Sequence, residues 1–495
     1  NTVSIPRQQL KSTMKKVMSL LILISAFKAN ATLTILSITE SMADIGATVN
    51  SAASSATDGD TLYFPYGNYK CTTDVYITKR IHLLGAVNNF NLRTRIYRPS
   101  TMTDASLYVH YMVHIDITSK SKTLVTVSYI DFAGKTRTIT AKDGGSDSQD
   151  HLLRITKCNG FVVHHCNFYN AGNSALYIKG YDDLQYGLVD YCNFIDCSSA
   201  WNGMGLGYGI VIYGDGTSWI TNDDLGNVNS SIYVQHCYFT NCRHGIASNN
   251  GAKYVCRDNR FYNCYKNAPV DMHESPSANV AGCRSAEVYR CTFTNDGLPF
   301  RTVANAAARA ALAPFTSGDQ YIVQTDDSST WKSTGTSAGN WTQCTIGNGL
   351  LPITQKYGAP RKDGVYGYYD VQYYVFANRG GTTVFFNNYV NIPARVIFNY
   401  EDQYGVDGTY PYFGTGGYDS QTRYASNHTS TTDPNKGSDD CYEWNNNIFG
   451  SEGFAPDAKY NFVGPQWVNN RDVHTNTVRP DYTPAGKHPL EVFVK

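Results

Sequence analysis

The sequence has little charge and no excess of either sign. Only 17% of its 495 residues are charged, and 41 basic residues balance 41 acidic ones. A neutral chain lacks the positive field that attracts phosphate backbones, which argues against nucleic acid as a partner. The sequence also lacks any CxxC pair. Because closely spaced cysteine pairs are typical of structural zinc sites, this absence argues against such a site.

Long apolar runs are also scarce. The run from Val17 to Phe27 is too short to span a bilayer. It follows a basic segment beginning at Met14 and precedes a small-x-small pattern ending at Ala31. This arrangement predicts a secretory signal peptide over Met14–Ala31, a mature chain starting near Thr32 and an extracellular location. A buried N-terminal helix is the alternative.

Glycine, tyrosine and a repeated phrase are abundant instead. The phrase occurs as VVHHCNF, LVDYCNF, YVQHCYF, VCRDNRF and EVYRCTF, with final residues Phe168, Phe194, Phe239, Phe261 and Phe293. Side chains of one type at one offset predict a solenoid in which they stack in columns. Thirteen cysteines in a secreted chain suggest disulfides. Since most of them fall in two such columns, we favour buried thiols.

A second short strand follows each phrase, and its alternation assigns two faces. Inward positions are Leu176, Ile178, Ile210, Ile212, Ile246, Ser248, Val270 and Met272. Outward positions form two columns, one of Arg154, Tyr177, Val211, Ala247 and Asp271, the other of Thr156, Lys179, Tyr213, Asn249 and His273. At ordinary strand spacing Tyr213, Asn249, Asp271 and His273 would share one sugar-sized patch.

Two sets of segments carry a family resemblance. GDTLYFPYGNY resembles the opening of right-handed parallel β-helix proteins of the pectate-lyase type, and GYGIVIYGDG, VDMHE and CRSAEVYRCTF resemble a subgroup of secreted and phage β-helix proteins. The resemblance implies an all-β fold, a right-handed parallel β-helix of the pectate-lyase-like superfamily. A helix predicted over Ala43 to Ala56 would cap its first coil.

The chain divides into four expected segments. Residues 1–31 hold upstream residues and the signal peptide, residues 32–300 the first part of the β-helix, and residues 348–495 the last coils and an extended C-terminal strap over the last coil. Residues 301–347 read as a short helix and a small β-meander that resembles phage tail modules. Trp331 and Trp341 could bind sugars there, but a small module needs them for its own core.

The resemblance implies polysaccharide as partner, and two chemistries compete. For β-elimination beside a uronate, Lys179, His273 or Tyr213 would move protons. In that reaction Arg154, Arg243 or Arg284 would hold the substrate carboxylate. For hydrolysis, Asp271 would need a second carboxylate, and the candidates are Asp215, Glu274 and Glu287. The NTD, GHG and RIK segments of polygalacturonases are absent, which lowers that hydrolase interpretation.

The remaining candidates have structural alternatives. Tyr177 and Asn249 are expected to bind substrate, whereas His244 could stabilise a turn equally well. Arg284 and Glu287 could either bind substrate or tie a loop to the next coil. Calcium could bind the acidic pairs Asp182, Asp183, Asp223 and Asp224. Their spacing is not that of a calcium loop, which favours solvated loops and leaves no assigned metal site.

The sequence therefore predicts a secreted protein that binds and degrades polysaccharide, with elimination slightly favoured over hydrolysis. The alternative is a non-catalytic adhesin or a phage tail spike that recognises surface glycan. A tail spike would be virion-borne and would be expected to form a homotrimer.

Overall fold

The structure is a computed structural model. It describes residues 31–102, 110–117, 124–135, 150–180, 185–197, 207–214, 224–262, 264, 268–273, 283–294, 302–313, 321–324, 326–327, 329–343, 374–378, 381–391, 396–401, 441–448, 458–463 and 473–494. The predicted signal peptide lies outside these residues except for its last residue, Ala31. No helix within the described part is long and apolar enough to cross a membrane.

Three parallel sheets run the length of the described chain, and each full coil adds one strand to each sheet. We call them sheets 1, 2 and 3, and each coil passes from sheet 1 to sheet 3 and then to sheet 2. Strands of consecutive coils lie in register, as in Phe168 against Phe194 and Phe194 against Phe239. The predicted right-handed parallel β-helix is confirmed.

Sheet 1 has twelve described strands. They are Leu33–Ile35, Thr61–Phe64, His82–Gly85, Val125–Ser128, Phe161–His164, Gly187–Asp190, Ile232–Gln235, Lys253–Arg257, Ser285–Tyr289, Thr382–Phe386, Cys441–Trp444 and Val473–Thr475. Sheet 2 has ten described strands. They are Val75–Ile77, Tyr111–Asp116, His151–Thr156, Ser174–Lys179, Tyr208–Tyr213, His244–Asn249, Val270–Met272, Tyr374–Asn378, Val396–Glu401 and Ala458–Val463.

Sheet 3 consists of shorter strands, ten of them within the described residues. They are Asn68–Lys70, Thr94–Tyr97, Ile130–Ala133, Asn167–Tyr169, Asn193–Ile195, Tyr238–Thr240, Arg260–Tyr262, Thr292–Thr294, Tyr389–Asn391 and Asn447–Ile448. The corner between sheet 1 and sheet 3 holds a residue in the left-handed region in coil after coil, for example His165 at φ 52° and His236 at φ 49°. This conformation is uncommon for residues other than glycine, and it makes the bend sharp.

The repeated phrase builds the core. Its phenylalanine rings stack from coil to coil, with centroids 4.9 Å apart for Phe168 and Phe194 and 4.7 Å apart for Phe239 and Phe261. The twelve cysteines among the described residues are all buried free thiols. The preference for packed thiols over disulfides is thus confirmed for these twelve.

A helix covers the first coils. It spans Gly46–Ser55 and buries Val49 and Ala53, so it is shorter than the predicted Ala43 to Ala56. The Asp44 side chain accepts hydrogen bonds from the backbone N–H groups of Gly46 and Thr72. These bonds fix the residues before Gly46 in a non-helical position. Buried apolar residues of the helix join the main core and shield its end, as a solenoid requires.

The predicted small module forms a separate sheet. Its strands are Thr302–Val303, Tyr321–Gln324, Thr330–Ser333 and Trp341–Gln343, and a helix spans Ala306–Ala311. Trp341 is buried against Val303, and Trp331 packs on the same cluster. Both tryptophans therefore belong to the core of this sheet, as the sequence favoured.

The C-terminal strap takes a different course from the one expected. It was predicted to lie over the last coil, but it crosses the outer face of sheet 1 and includes a 3₁₀ helix at Pro489–Phe493. Leu490 and Val494 pack there into a second apolar cluster with residues of many coils, namely Val162, Leu188, Tyr233, Val255, Tyr289, Val384, Phe386 and Trp444. The strap thus clamps successive coils together.

Candidate functional site

The outward face of sheet 2 has the predicted register. Tyr177 pairs with Val211, Val211 with Ala247, and Ala247 with Asp271. Lys179 pairs with Tyr213, and Tyr213 with Asn249. Every inward position named from the sequence is buried. Strict alternation along these strands therefore assigned the two faces correctly from Arg154 to Asp271.

Alternation breaks at the start of each strand, and this break creates a third outward column. Gly245 and Ile246 are consecutive, yet both face the core: a Cβ on Gly245 would lie 2.4 Å from the Phe261 ring. Since two adjacent residues point inward, the residue before them, His244, is turned toward the outer face. The equivalent residues in earlier coils are Tyr111, His151, Ser174 and Tyr208.

Asp271, His244 and His273 form a cluster that we call the His–Asp–His triad. His273 Nε2 lies 3.0 Å from Asp271 Oδ2, and His244 Nε2 lies 3.5 Å from the same oxygen. Asp271 and His244 are completely buried, whereas the His273 side chain is 24% exposed. The carboxylate is thus shared between two imidazoles, and His273 is the member of the triad that reaches solvent.

Hydrogen bonding determines the tautomer of His244. Its Nδ1 lies 2.7 Å from the carbonyl oxygen of Ala268. A carbonyl can only accept, so Nδ1 carries the proton and donates it. Burial holds the pKa of His244 well below 6.5, against the smaller opposing effect of Asp271. The ring is therefore neutral near pH 7, with the lone pair of Nε2 facing Asp271.

Two neighbouring side chains extend the triad toward the preceding coil. The Tyr208 ring stacks on His244 with centroids 5.4 Å apart. Arg243 donates a hydrogen bond to the Tyr208 hydroxyl across 2.9 Å, and its guanidinium lies over the same ring. Tyr208 was missed by the sequence interpretation because it occupies the irregular third column. The sequence feature that could have revealed it is the adjacent pair Gly209 and Ile210, which are both buried.

Tyrosines and one arginine line the face away from the triad. Tyr177 and Tyr213 stack with centroids 5.4 Å apart. The Arg154 guanidinium lies 4.2 Å from the Tyr111 ring and 5.0 Å from the Tyr177 ring. Burial raises the pKa of Tyr177 and of Tyr213, so both hydroxyls stay protonated and can donate hydrogen bonds. The Tyr111 and Tyr177 rings thus both lie within cation–π distance of the Arg154 guanidinium.

The N-terminal end of the face holds polar residues that the sequence interpretation did not name. His114 Nε2 lies 3.0 Å from the Thr156 hydroxyl, which donates to Asp116 across 2.8 Å. Burial lowers the pKa of His114 to about 4 and of His151 to about 3, and Arg154 adds to both shifts. Both rings are neutral near pH 7 and belong to the polar lining of the face.

Two predicted binding residues lie on a different sheet. Arg284 directly precedes, and Glu287 lies within, the sheet 1 strand Ser285–Tyr289. Arg284 is buried and donates to Thr382 Oγ1 across 3.3 Å. Glu287 accepts from the Tyr482 hydroxyl at 2.5 Å and from the Gly226 backbone at 2.6 Å. The structure thus groups Glu287 with the strap, whereas Arg284 lies between sheets 2 and 1, next to Cys283, whose backbone N–H donates to the His273 carbonyl across 3.0 Å.

Most proposed acidic partners lie outside the described residues: Asp182, Asp183, Asp215, Asp223 and Glu274. Asp224 is described, and its carboxylate lies 2.5 Å from the ammonium of buried Lys253. Among the described residues, the one set of three or more His, Cys, Asp or Glu side chains whose geometry suits a metal ion is the triad. Its three ligand atoms lie within 4.8 Å of one another.

Comparisons with known proteins agree with the coil architecture. Residues 30–268 match the family model described as rhamnogalacturonase A/epimerase, pectate lyase-like, so the match ends three residues before Asp271. No curated protein sequence matches the chain.

Solved structures with a similar course of the chain include viral and bacterial proteins. ORF18 of Geobacillus virus E2 is 11% identical, with 93% of this chain and 64% of that chain covered and a TM-score of 0.34. DFA-IIIase from Arthrobacter chlorophenolicus A6, without its lid, is 12% identical, with 91% of this chain and 100% of that chain covered and a TM-score of 0.40. Pectin methylesterase PemA from Erwinia chrysanthemi is 11% identical, with 88% of this chain and 93% of that chain covered and a TM-score of 0.35.

The three stacked sheets define the class of this protein, a parallel β-helix. Residues 30–268 match the pectate-lyase-like family model, in agreement with the resemblance found in the sequence. Because one fold supports many functions, the reaction has to be argued from the triad and its surroundings.

Proposed function

We propose that this protein binds an acidic polysaccharide along the outward face of sheet 2 and cleaves it by β-elimination at the His–Asp–His triad. The observation that carries the proposal is the buried Asp271 carboxylate, which lies 3.0 Å from the imidazole of the half-exposed His273. A carboxylate that orients an imidazole at a surface is a common way to place a proton-transfer group. Asp271 is then a positioning residue, and His273 meets the substrate.

The burial of Asp271 favours elimination over hydrolysis. Glycoside hydrolysis needs two carboxyl groups that both reach the reacting sugar. Asp271 is 0% exposed beneath two imidazoles. The group that does reach the face beside it is the His273 imidazole, a base of the type that elimination uses. We assign proton transfer to His273.

The spacing of the strands places two earlier candidates for proton transfer too far from the sugar unit that would react at His273. Lys179 lies three strands from the coil of His273, and Tyr213 lies two strands away. At about 4.8 Å a strand these separations are roughly 14 Å and 10 Å. Lys179 and Tyr213 are therefore assigned to binding of neighbouring sugar units, along with Tyr177 and Asn249.

Cationic side chains on the face support an acidic substrate. Arg154, Lys179 and Arg243 form no ion pair with a carboxylate of the described residues. Guanidinium groups bind carboxylates with two parallel hydrogen bonds, and the Arg154 guanidinium lies on this face, 4.2 Å from the Tyr111 ring. The predicted signal peptide would place the protein outside the cell, where such polysaccharides are met.

The test is incubation of the purified full chain with uronate-containing and neutral glycans. Absorbance of the unsaturated uronate product is expected with uronate polymers, and it should be lost in Asp271→Asn and His273→Ala. Asp190→Asn and His236→Ala are matched controls, because His236 Nδ1 lies 2.8 Å from Asp190 Oδ1 at the corner between sheets 1 and 3. New reducing ends without unsaturation would show hydrolysis instead. Glycan binding without either product would favour the non-catalytic adhesin or tail spike.

A further inference from the structure

Two electron-pair donors face each other inside the triad. His244 donates its Nδ1 proton to Ala268, so its Nε2 has a lone pair. That lone pair is buried, accepts no hydrogen bond from a described residue, and lies 3.5 Å from Asp271 Oδ2. A buried acceptor opposite a carboxylate oxygen is unfavourable unless a proton or a cation lies between them.

The distances between the polar atoms of the triad match those expected around a bound metal ion. Zinc lies about 2.0–2.2 Å from imidazole nitrogen and carboxylate oxygen, so two ligand atoms of one ion are roughly 3.0–3.5 Å apart. The two measured separations are 3.0 Å for His273 and 3.5 Å for His244. The third separation, between the ligand nitrogens of the two histidines, is within 4.8 Å.

The surroundings of His244 are those of a metal ligand. Histidines that bind metals usually donate their other ring proton to a backbone carbonyl or a carboxylate, which orients the ring and its lone pair. Ala268 supplies that carbonyl at 2.7 Å. The Tyr208 ring stacks on the imidazole and holds its plane. The strand start and the preceding coil therefore fix this lone pair before any ion arrives.

We propose that His244 Nε2, Asp271 Oδ2 and His273 Nε2 form a binding site for one divalent transition-metal ion of the zinc class. Two nitrogens and one oxygen favour such an ion over calcium, which prefers oxygen ligands throughout. Three protein ligands leave a coordination position open on the exposed side of His273. Metal binding stands independently of the reaction. An imidazole whose Nε2 binds the ion keeps its proton on Nδ1 and cannot accept one from a substrate, so the zinc-bound form is expected to be inactive in the proposed elimination.

Metal binding is tested without any glycan. Tag-free full-length protein is treated with a chelator, desalted and titrated with Zn²⁺, Mn²⁺ or Ca²⁺ in a calorimeter. We expect about one Zn²⁺ for each chain and much weaker binding of Ca²⁺. Co²⁺ in place of Zn²⁺ should give a visible absorption band whose intensity reports the number and type of its ligands.

Variants decide whether the triad is the site. His244→Ala, Asp271→Asn and His273→Ala should each weaken Zn²⁺ binding by more than about tenfold and change the Co²⁺ band. Because His244 is fully buried and its variant could misfold, His273→Ala gives the same test at a half-exposed position. His236→Ala is the matched control, since it removes a histidine paired with a carboxylate on another face and should bind Zn²⁺ like the parent protein.

Five results separate this inference from the proposed reaction. A parent protein that binds no Zn²⁺, or triad variants that bind it unchanged, would overturn the metal site. So would nitrogen NMR shifts showing both nitrogens of His244 protonated in the metal-free and zinc-treated protein. Full elimination activity in saturating Zn²⁺ would show that His273 is not a ligand and would also overturn the site. Zn²⁺ binding at the triad, with no product from any glycan in chelated protein, would retain the site and refute the elimination.

Discussion

The same coils present two outward faces, of which the C-terminal strap covers the one on sheet 1. On sheet 1 the outward column includes Val162, Leu188, Tyr233 and Val255, and the C-terminal strap packs over it. On sheet 2 the matching column runs from half-exposed Arg154 and Tyr177 to buried Val211, Ala247 and Asp271. An apolar outward column like that of sheet 1 needs a cover, whereas polar side chains such as Arg154 and Tyr177 can stay at the surface. The outward residues therefore decide which face of a solenoid is structural.

Charged groups also have different partners on the two faces. On sheet 1, Arg257 donates to Gln235, to the Gly486 carbonyl and to Glu491 of the strap, across 2.8, 2.8 and 2.7 Å. Gln235 in turn donates to Asp190, so Asp190, Gln235 and Arg257 form a ladder across neighbouring coils. These contacts join the strap to the coils. On sheet 2 the buried carboxylate of Asp271 faces two imidazoles beside the open surface.

The largest expected effect comes from Asp271. Asp271→Asn keeps the volume of the side chain but removes the charge that orients His273, so elimination activity should fall by about 10²–10⁴-fold. Initial rates of unsaturated product formation measure this. The sheet 1 counterpart, Glu287→Gln, should leave the rate within about twofold while lowering the thermal midpoint. Equal losses of rate in both variants would contradict the division into two faces.

Removing Arg257 should destabilise the protein without changing its chemistry. The guanidinium is 7% exposed and its ion-pair partner Glu491 is 24% exposed. Breaking such a buried pair leaves a carboxylate and two carbonyls without their donor, so Arg257→Ala should lower the free energy of unfolding by roughly 3 kcal/mol. Urea unfolding measures it. Arg290→Ala, at an exposed pair with Asp258, is the control and should change stability by less than about 1 kcal/mol.

Buried histidines should make the sheet 2 face sensitive to acid. Burial lowers the pKa of His151 to about 3. The unfolded chain binds this proton near pH 6.5 and the folded chain does not, so stability falls as pH drops below about 6.5, by up to roughly 2 kcal/mol at pH 5. His151→Asn should flatten this dependence, as followed by the thermal midpoint from pH 7 to pH 5.

His236 should behave in the opposite sense. The Asp190 carboxylate raises the pKa of His236, so its contribution to stability is full below about pH 6.5 and disappears as pH rises through the higher folded value. His236→Asn should therefore cost stability at pH 5 and little at pH 8. Identical pH profiles for the His151 and His236 variants would show that these environments were assigned wrongly.

The smallest effect is expected from Arg154, about four strands from Asp271 along the face. Arg154→Ala should raise KM for a long uronate polymer by about tenfold and leave kcat nearly unchanged, because the contact binds without touching the reacting sugar. Arg154→Lys keeps the charge but not the planar stacking between Tyr111 and Tyr177, so it should recover only part of the loss. A change in kcat alone would contradict a role in binding.

Repetition made the scaffold predictable from sequence. The phenylalanine ladder, the thiol columns and the register from Arg154 to Asp271 all follow from identical side chains at identical offsets, because consecutive coils must superimpose. The periodicity of two then separated inward Ile210 and Ile246 from outward Tyr213 and Asn249. These parts of the face needed no information beyond the neighbouring coils.

The rest depended on contacts that local pattern does not encode. His244 was ambiguous because Gly245 and Ile246 both point inward, and that irregularity reverses the expected side of the strand. Glu287 was grouped with the substrate face because nothing nearby in sequence shows that Tyr482 of the strap, 195 residues later, donates to it. Long-range partners of this kind depend on the path of the strap.

The sequence by itself determined the repeating coil, its core columns and most of its outward columns, because these are set by side chains that recur at a fixed period. Only the tertiary structure decided that the strap covers sheet 1 and that His244, Asp271 and His273 meet at one carboxylate oxygen. The reason is physical: a repeat specifies what stacks on what, whereas a site arises where coils differ, bend and bring unlike side chains together.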